Sequence, residues 1–233
     1  MISKINKYVA LPLLYFLAIQ PSYGQTTAQI SDFTKAAKFD DVSEVKSLLK
    51  KGVNPNTVDA NGIPMLVLAI KEKSPKVIDV LLGDKNIDVD LSDKNGETPL
   101  MMASIDGNLP LVKTLVVGHK AQLDHIGWTP LHYACAKGQL EVAQFLIANG
   151  AIVDSMSLGN TTPLMMAVQS GNELLVKLLL DKAADLQLRN DQGLTAIDIA
   201  DIYGKAWISE GLRSRWFKLY KKPYVGPVKS KAS

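Results

Sequence analysis

Residues Gly127 to Gly150 read GWTPLHYACAKGQLEVAQFLIANG, and this stretch predicts two short helices joined by a tight turn. Thr129 is placed to cap the first helix, because its hydroxyl can accept a hydrogen bond from a free N–H of the first turn. Pro130 suits the first helical position, where no N–H is needed. Gly138 and Gly150 supply the left-handed residues that end the two helices. A helix pair of this size cannot bury its own apolar stripe, so it needs copies of itself stacked alongside.

The Thr-Pro-Leu signal recurs along the chain. It begins at Thr98, Thr129 and Thr162, at spacings of 31 and 33 residues, and Thr195-Ala196-Ile197 lies another 33 residues on. A period of about 33 residues that opens with Thr-Pro-Leu-His resembles the ankyrin repeat. The resemblance covers residues 30–212. It implies an all-α solenoid of stacked helix-turn-helix units with β-turn or hairpin tips, forming one elongated domain.

The repeat domain is predicted to span residues 25–222. Repeat one lacks Thr-Pro-Leu, which is typical of a terminal capping unit. Repeat two has Pro64 but no capping threonine, and Lys73 stands where a glycine would end the first helix, so this unit should be weakened. The segment from Ala121 to Gly127 is about three residues shorter than the family spacing implies, which predicts a truncated turn. The predicted repeats cover approximately residues 30–58, 59–92, 93–124, 125–157, 158–189 and 190–222.

The first 24 residues have the form of a secretory signal peptide. Lys4 and Lys7 precede an apolar run from Val9 to Ile19, and small residues precede Gln25. The apolar run is far shorter than the roughly 20 residues needed to span a bilayer. The sequence therefore predicts an exported protein, periplasmic or secreted, that begins at Gln25. An uncleaved anchor or a buried helix is the alternative.

Charge is divided unevenly along the chain. Gln25 to Gly204 carry 16 Lys or Arg against 22 Asp or Glu, whereas Lys205 to Ser233 carry 8 against Glu210 alone. Such asymmetry suggests an electrostatic contact of the basic segment with an anionic membrane surface, an acidic protein or nucleic acid. The aromatic residues within it, Trp207 to Tyr220, form either a helical cap over the last repeat or a binding element. Residues 223–233 are predicted to be a disordered basic tail.

The sequence gives no positive reason to predict an enzyme. It contains no G-x-S-x-G, no H-E-x-x-H and no phosphate-cradling glycine loop, and no cofactor is indicated. The resemblance implies a structural role for His132, as a hydrogen-bonding residue between repeats. The single cysteine, Cys135, fits a buried, unreactive position. A minor alternative is copper binding, because Met101, His132 and Met165 share one slot in successive repeats.

In ankyrin proteins, partners usually contact the turn tips and the exposed end of each first helix, on the concave side. Several of the equivalent positions in this chain carry apolar residues, and Trp128 is the expected hot spot because aromatic anchors dominate interfaces. The alternative is that isolated exposed apolar residues are ordinary surface. The predicted partner-binding residues are Ile63, Lys94, Asn95, Glu97, Ile105, His125, Ile126, Trp128, Lys137, Leu158, Leu194 and Tyr203.

The resemblance therefore implies a non-catalytic protein-protein interaction module. Exported bacterial ankyrin proteins with a similar layout suggest a periplasmic enzyme or a toxin as the class of protein partner. The rival function is peripheral association of the basic C-terminal segment with anionic membrane, with nucleic acid the less favoured ligand.

Overall fold

The computed structural model describes residues 25–226, and these residues form a row of paired helices. The signal-peptide prediction for residues 1–24 lies outside the described residues. In order, the helices are α1 Thr27–Lys38, α2 Val42–Lys50, α3 Met65–Lys71, α4 Pro75–Leu82, α5 Pro99–Ile105, α6 Leu109–Lys113, α7 Pro130–Ala136, α8 Leu140–Ala148, α9 Pro163–Ser170, α10 Glu173–Asp181, α11 Ala196–Ile202 and α12 Ala206–Tyr220. Within residues 25–226 the only strand-like pairing is a bridge between Val58 and Pro64. The all-α solenoid prediction is confirmed.

The first helix of each of the last four repeats begins where the sequence predicts. Thr98, Thr129, Thr162 and Thr195 have extended backbones, and each hydroxyl accepts a hydrogen bond from the backbone N–H three residues later. Each cap satisfies one of the N–H groups that a helix start leaves free. In repeat two, Pro64 provides no side-chain cap for α3, as predicted.

The core runs along the stacking axis rather than around a single centre. Helices α3, α5, α7, α9 and α11 pack in succession, with the second helices in a parallel row beside them. Leu100, Leu131, Leu164 and Ile197 occupy the same slot in four repeats and are almost completely buried. Neighbouring repeats thus bury each other's apolar faces, which is why no single unit would be stable alone.

Four turn tips are closed by one kind of hydrogen bond. In repeats two, three, five and six the first residue of the tip donates its N–H to the carbonyl four residues later, at 2.9–3.1 Å. In repeat three, for example, Asp93 N–H bonds Glu97 O, and the Asp93 carboxylate also accepts from the N–H groups of Asn95 and Glu97. No equivalent closure occurs at the tip of repeat four in the described part of the chain. This difference agrees with the shortening predicted there.

The second helix of repeat three changes form before this short tip. Helix α6 continues into a π-helical turn at Thr114–Gly118, and the N–H of His119 bonds both Thr114 O and Leu115 O. The sequence pattern did not predict this turn, because Leu111, Val112 and Leu115 fit an ordinary helix.

The C-terminal segment closes the stack. Helix α12 has 15 residues, and it buries Ile208, Leu212 and Trp216 against repeat six. Tyr224 is buried, and its hydroxyl bonds Asp198 and lies 2.7 Å from the Thr195 hydroxyl. Disorder was predicted from residue 223, and this prediction is wrong at Tyr224, because buried hydrogen bonds and aromatic packing hold its side chain. Residues 227–233 lie outside the described residues.

Along residues 25–226, no helix combines the length and the apolarity that crossing a membrane requires. Even the longest of these helices, α12, extends only about 22 Å.

Candidate partner-binding surface

A network of charged and polar side chains connects repeats two, three and four on the concave side. The Lys71 ammonium lies 3.0 Å from Asp93 Oδ2 and 2.7 Å from Glu97 Oε2. Tyr133, on α7, donates its hydroxyl hydrogen to Glu97 Oε1 at 3.1 Å. Because these contacts join residues up to 36 positions apart, they hold this part of the surface in one arrangement.

The titration behaviour of the network follows from its contacts. Burial alone would lower the pKa of Lys71, but the hydrogen bonds and charges of Glu97 and Asp93 outweigh burial and raise this pKa. Burial would raise the pKa of Asp93, yet Lys71 and two backbone N–H donors lower it below its ordinary value. Burial and the neighbouring Glu97 carboxylate raise the pKa of the Tyr133 phenol. These shifts favour the ammonium form of Lys71, the carboxylate form of Asp93 and the neutral phenol of Tyr133.

Trp128 is held at the edge of this network by two aromatic contacts. Its ring centroid lies 5.7 Å from that of Tyr133, with the rings nearly perpendicular, and 5.5 Å from the ring of His132. Edge-to-face contacts of this kind favour one orientation of the indole. The residue is nevertheless 39% exposed. Trp128 therefore presents a fixed indole surface to solvent.

Two apolar residues project from adjacent turn tips. Ile126, in repeat four, is 88% exposed, and Leu158, in repeat five, is 82% exposed. His125 lies beside them with its Nδ1 atom 2.8 Å from Ile126 O, while its buried Nε2 has no partner among the described residues. The exposed side chains of Ile126 and Leu158 therefore enlarge the apolar area of the surface around Trp128.

A cleft of about 400 Å³ opens between repeats five and six. Its lining is mixed, and the apolar side chains of Met166, Ile199 and Ile202 contribute to it. Among the polar lining residues, the Gln169 side-chain amide donates to the Tyr203 hydroxyl at 2.8 Å, and Asp191 stands exposed on the turn tip.

The predicted partner-binding residues fall into three groups. Trp128, Ile126 and Leu158 are exposed apolar residues, and Lys94, Asn95 and Lys137 are exposed polar ones. Leu194 and Tyr203 line the cleft. The remaining four, Ile63, Glu97, Ile105 and His125, are half-buried: Ile63 packs against the core, Glu97 belongs to the network, and the carbonyl of Ile105 accepts from Gln139.

Sequence reasoning missed a second row of surface residues. Tyr133, Met166 and Ile199 each lie four residues after the capping threonine of their repeat, and all three are half-buried. Tyr133 bonds Glu97, and the other two line the cleft. The repeat period contained the signal that would have found them, because Thr129, Thr162 and Thr195 fix the register.

His132 is completely buried and links two repeats. Its Nε2 lies 2.9 Å from Thr161 O, which can only accept, so this nitrogen carries the proton. Nδ1 then accepts from Thr129, whose hydroxyl is 2.9 Å away. Both ring nitrogens are therefore engaged, and a copper ion would have to displace one of these hydrogen bonds. Residues 25–226 contain no group of three or more His, Cys, Asp or Glu side chains arranged to hold a metal ion.

Cys135 is completely buried on α7, as its position in the repeat predicts. Burial raises the pKa of its thiol. A thiol that is neither exposed nor ionised is a poor nucleophile, so this residue contributes packing rather than chemistry.

The fold and the concave surface define a helical-repeat solenoid of the kind that binds other molecules along one face. A family model for ankyrin repeats (3 copies) matches residues 33–125, 66–157 and 107–190. The chain belongs to the ankyrin-repeat family. Ankyrin repeats generally mediate protein-protein interaction and are generally non-catalytic, and that is the class of protein defined here.

Relatives of the chain occur in bacteria and eukaryotes. It is 27% identical over 179 residues to the ankyrin repeat protein YahD of Escherichia coli K12, a match covering 73% of this chain and 88% of that protein. It is 28% identical over 196 residues to human transient receptor potential cation channel subfamily A member 1, covering 80% of this chain and 17% of the channel. It is 36% identical over 121 residues to palmitoyltransferase AKR1 of Lachancea kluyveri, covering 50% of this chain and 16% of the transferase.

The chain thus spans about a sixth of the length of the channel and of the transferase.

Proposed function

We propose that this protein is an exported, non-catalytic binding protein that holds a partner protein against its concave surface. The charged and apolar order of residues 1–24 supports export to a periplasm or the exterior. The family supports a protein partner. In such a compartment, the candidate partners are an enzyme that the repeat protein supports or a toxin that it neutralises.

Trp128 is the observation on which the binding proposal depends. Its indole is oriented by Tyr133 and His132 but keeps 39% of its surface exposed. A rigid, half-exposed aromatic residue loses little conformational entropy on binding, and tryptophan is enriched among interface hot spots. The neighbouring Ile126 and Leu158 enlarge the apolar area that a partner would bury.

Affinity capture from the native envelope fraction tests this function. Trp128→Ala should weaken binding of a captured partner by about 2 kcal/mol or more, roughly thirtyfold in dissociation constant, when the purified pair is measured. Trp207→Ala is the matched control, because Trp207 is 79% exposed, lies on α12 and is not among the predicted partner-binding residues. Equal retention of the partner by wild type and Trp128→Ala would remove the concave surface from the binding site.

A second candidate function is association of α12 and the following residues with anionic membrane. Trp207, Phe217 and Leu219 are more than half exposed, and Lys218, Lys221 and Lys222 are exposed beside them. Arg213 and Arg215 contribute less than the composition suggests. Arg213 pairs with Asp201 at 2.5 Å, and Arg215 donates to Leu180 O at 2.6 Å.

Sedimentation with lipid vesicles separates this candidate from the first. Binding to vesicles that contain phosphatidylserine should fall steeply with rising salt, because each basic residue near an anionic surface contributes about 1 kcal/mol. Replacing Lys221 and Lys222 with Glu should abolish sedimentation, whereas the same change at Lys50 and Lys51, an exposed pair at the other end of the stack, should leave it unchanged. Sedimentation that is equal with neutral vesicles would rule out this function.

A further inference from the structure

Five large apolar side chains are exposed on two segments at the tips of repeats four and five. Each keeps between 39% and 88% of its surface exposed. Single apolar residues are ordinary on a protein surface, whereas several together mark an interaction site. We call this group the tip patch, and it consists of Ile126, Trp128, Ile152, Met156 and Leu158.

The two segments of the tip patch lie side by side. The Asp124 carboxylate accepts the backbone N–H of Ile152, with both of its oxygens 3.2 Å from the nitrogen. Three residues after Asp124, a Cβ atom placed on Gly127 would lie 3.8 Å from Leu158 Cγ. These two contacts lie at either end of the patch, so its members share one continuous surface.

Other tips of the stack are polar at the positions that Ile126 and Leu158 occupy. The equivalent residues are Lys94 and Asn95 in repeat three, and Asp191 and Gln192 in repeat six, and all four are exposed. The turn itself therefore does not require an apolar side chain at these positions. Water favours polar residues there, so the apolar residues of the tip patch indicate a surface that another molecule covers.

The tip patch has little charge around it. Between Lys120 and Lys177 the only Lys or Arg is Lys137. The nearby carboxylates of Asp124 and Asp154 already accept backbone N–H groups of the following loops. Anionic lipid and nucleic acid bind basic side chains, so neither suits this surface. An uncharged apolar surface can instead meet an identical surface without like-charge repulsion, and homodimer interfaces are the more apolar class.

The charge of the rest of the chain also suits a second copy. Gln25 to Gly204 carry 22 Asp or Glu against 16 Lys or Arg, and Lys205 to Ser233 carry 8 Lys or Arg against one Glu. A twofold axis perpendicular to the stack makes the two stacks antiparallel. It keeps the two basic ends apart and turns each one toward the acidic repeats of the other copy. We propose that two copies of the protein associate through their tip patches, with their stacks antiparallel.

This association goes beyond the proposed function and would compete with it. Ile126, Trp128 and Leu158 belong both to the tip patch and to the proposed partner-binding surface. A second copy that covers them excludes the partner protein. Adding a captured partner to the purified protein should therefore convert dimers into complexes with one copy of each chain.

Sedimentation velocity over a series of protein concentrations tests the dimer. The purified protein should pass from monomer to dimer as its concentration rises. Replacing Ile126 and Leu158 together with Ser should raise the dimer dissociation constant roughly tenfold or more, because both side chains lie in the apolar centre of the contact and each occurs twice. Phe39→Ser is the matched control, since Phe39 is equally exposed but lies in repeat one, and it should leave the constant unchanged. Thermal melts show whether each variant remains folded.

The antiparallel arrangement has its own test. Replacing Lys221 and Lys222 with Glu should weaken the dimer about threefold or more at low salt, because the basic end then repels the acidic repeats of the other copy. The difference from wild type should shrink at high salt, where these charges are screened. An unchanged dissociation constant at low salt would overturn this arrangement.

Two results would overturn the dimer itself. One is a protein that stays monomeric at every concentration, which would leave the tip patch to the partner of the proposed function. The other is a dimer that survives the Ile126 and Leu158 replacements but is lost in Trp207→Ser, because the contact would then lie on α12. In either case, capture of a partner that still depends on Trp128 would leave the proposed function standing.

Discussion

At the scale of single residues, His132 and Asp198 occupy equivalent positions, three residues after the capping threonine of their repeat, but bond different partners. His132 is followed by another repeat, and its Nε2–H donates to the Thr161 carbonyl. Asp198 occupies the same slot in repeat six, where no further repeat follows within the described residues. Its carboxylate accepts from the hydroxyl of Tyr224 and from Thr195 N–H at 2.8 Å. The donor and acceptor roles are reversed because the partner changes from a carbonyl to a hydroxyl.

His132 gives a pH-dependent contribution to stability. Burial lowers its pKa below the ordinary value of about 6.5, so the folded state binds fewer protons than the unfolded state as pH falls below that value. The free energy of unfolding should therefore decrease between pH 7.5 and pH 5.0. His132→Gln should cost about 1–3 kcal/mol at pH 7.5, because it disrupts two buried hydrogen bonds, and should show a smaller decrease on acidification.

Urea unfolding followed by circular dichroism at both pH values measures the effect. His119→Gln is the matched control, because His119 is half-buried whereas His132 is completely buried. If wild type and His132→Gln lose equal stability on acidification, His132 is not the group responsible.

At the scale of the helix pair, one backbone conformation ends the first helix of every repeat. The residues just after those helices, Asp40, Lys73, Gly107, Gly138, Gly171 and Gly204, all have φ between 54° and 79°. Glycine adopts this left-handed region without strain, whereas a residue with a Cβ is strained there. Lys73 adopts this conformation, with φ 57°, so we expect it to weaken repeat two.

Lys73→Gly should raise the free energy of unfolding by about 0.5–1 kcal/mol, the difference between the strain relieved and the extra entropy of glycine in the unfolded chain. Lys51→Gly is the matched control, because Lys51 ends α2 with φ −77°, where glycine brings only the entropic cost. Chemical denaturation midpoints compare the two. A lower midpoint for Lys73→Gly would show that the lysine side chain makes a stabilising contact.

The same scale shows what the sequence could and could not predict. The caps at Thr98, Thr129, Thr162 and Thr195 could be predicted because each depends on a local hydrogen bond. The network of Lys71, Asp93, Glu97 and Tyr133 could not, because it joins residues from three repeats whose side-chain directions follow from the stacking. Tyr224 was missed for a related reason. Its burial depends on a hydrogen bond to Asp198, 26 positions earlier, and no local pattern reports that contact.

At the scale of the whole molecule, stability should be distributed along the stack. Each repeat contacts only its neighbours, so a change at one end should act mainly there. The C-terminal end is covered by the aromatic rings of Trp216 and Tyr224, whose centroids are 5.0 Å apart, and Arg213 lies over the Tyr224 ring at 5.3 Å. Because the cleft lies between repeats five and six, this covering also stabilises one end of the proposed binding surface.

Tyr224→Phe tests this view of the molecule, because it keeps the ring but removes the hydroxyl that bonds Asp198 and Thr195. The variant should lose about 1–2 kcal/mol of stability, since a buried carboxylate loses a donor. Hydrogen exchange measured by mass spectrometry should quicken in α11 and α12 while α3 and α5 remain unchanged, because the perturbed repeat lies at the far end of the stack. Tyr203→Phe is the control, since its hydroxyl bonds only the half-buried Gln169 and should change exchange little. Faster exchange spread evenly from α1 to α12 would mean that the repeats unfold as one unit. The stability of one end of the stack could then not be changed without also changing that of the proposed binding surface.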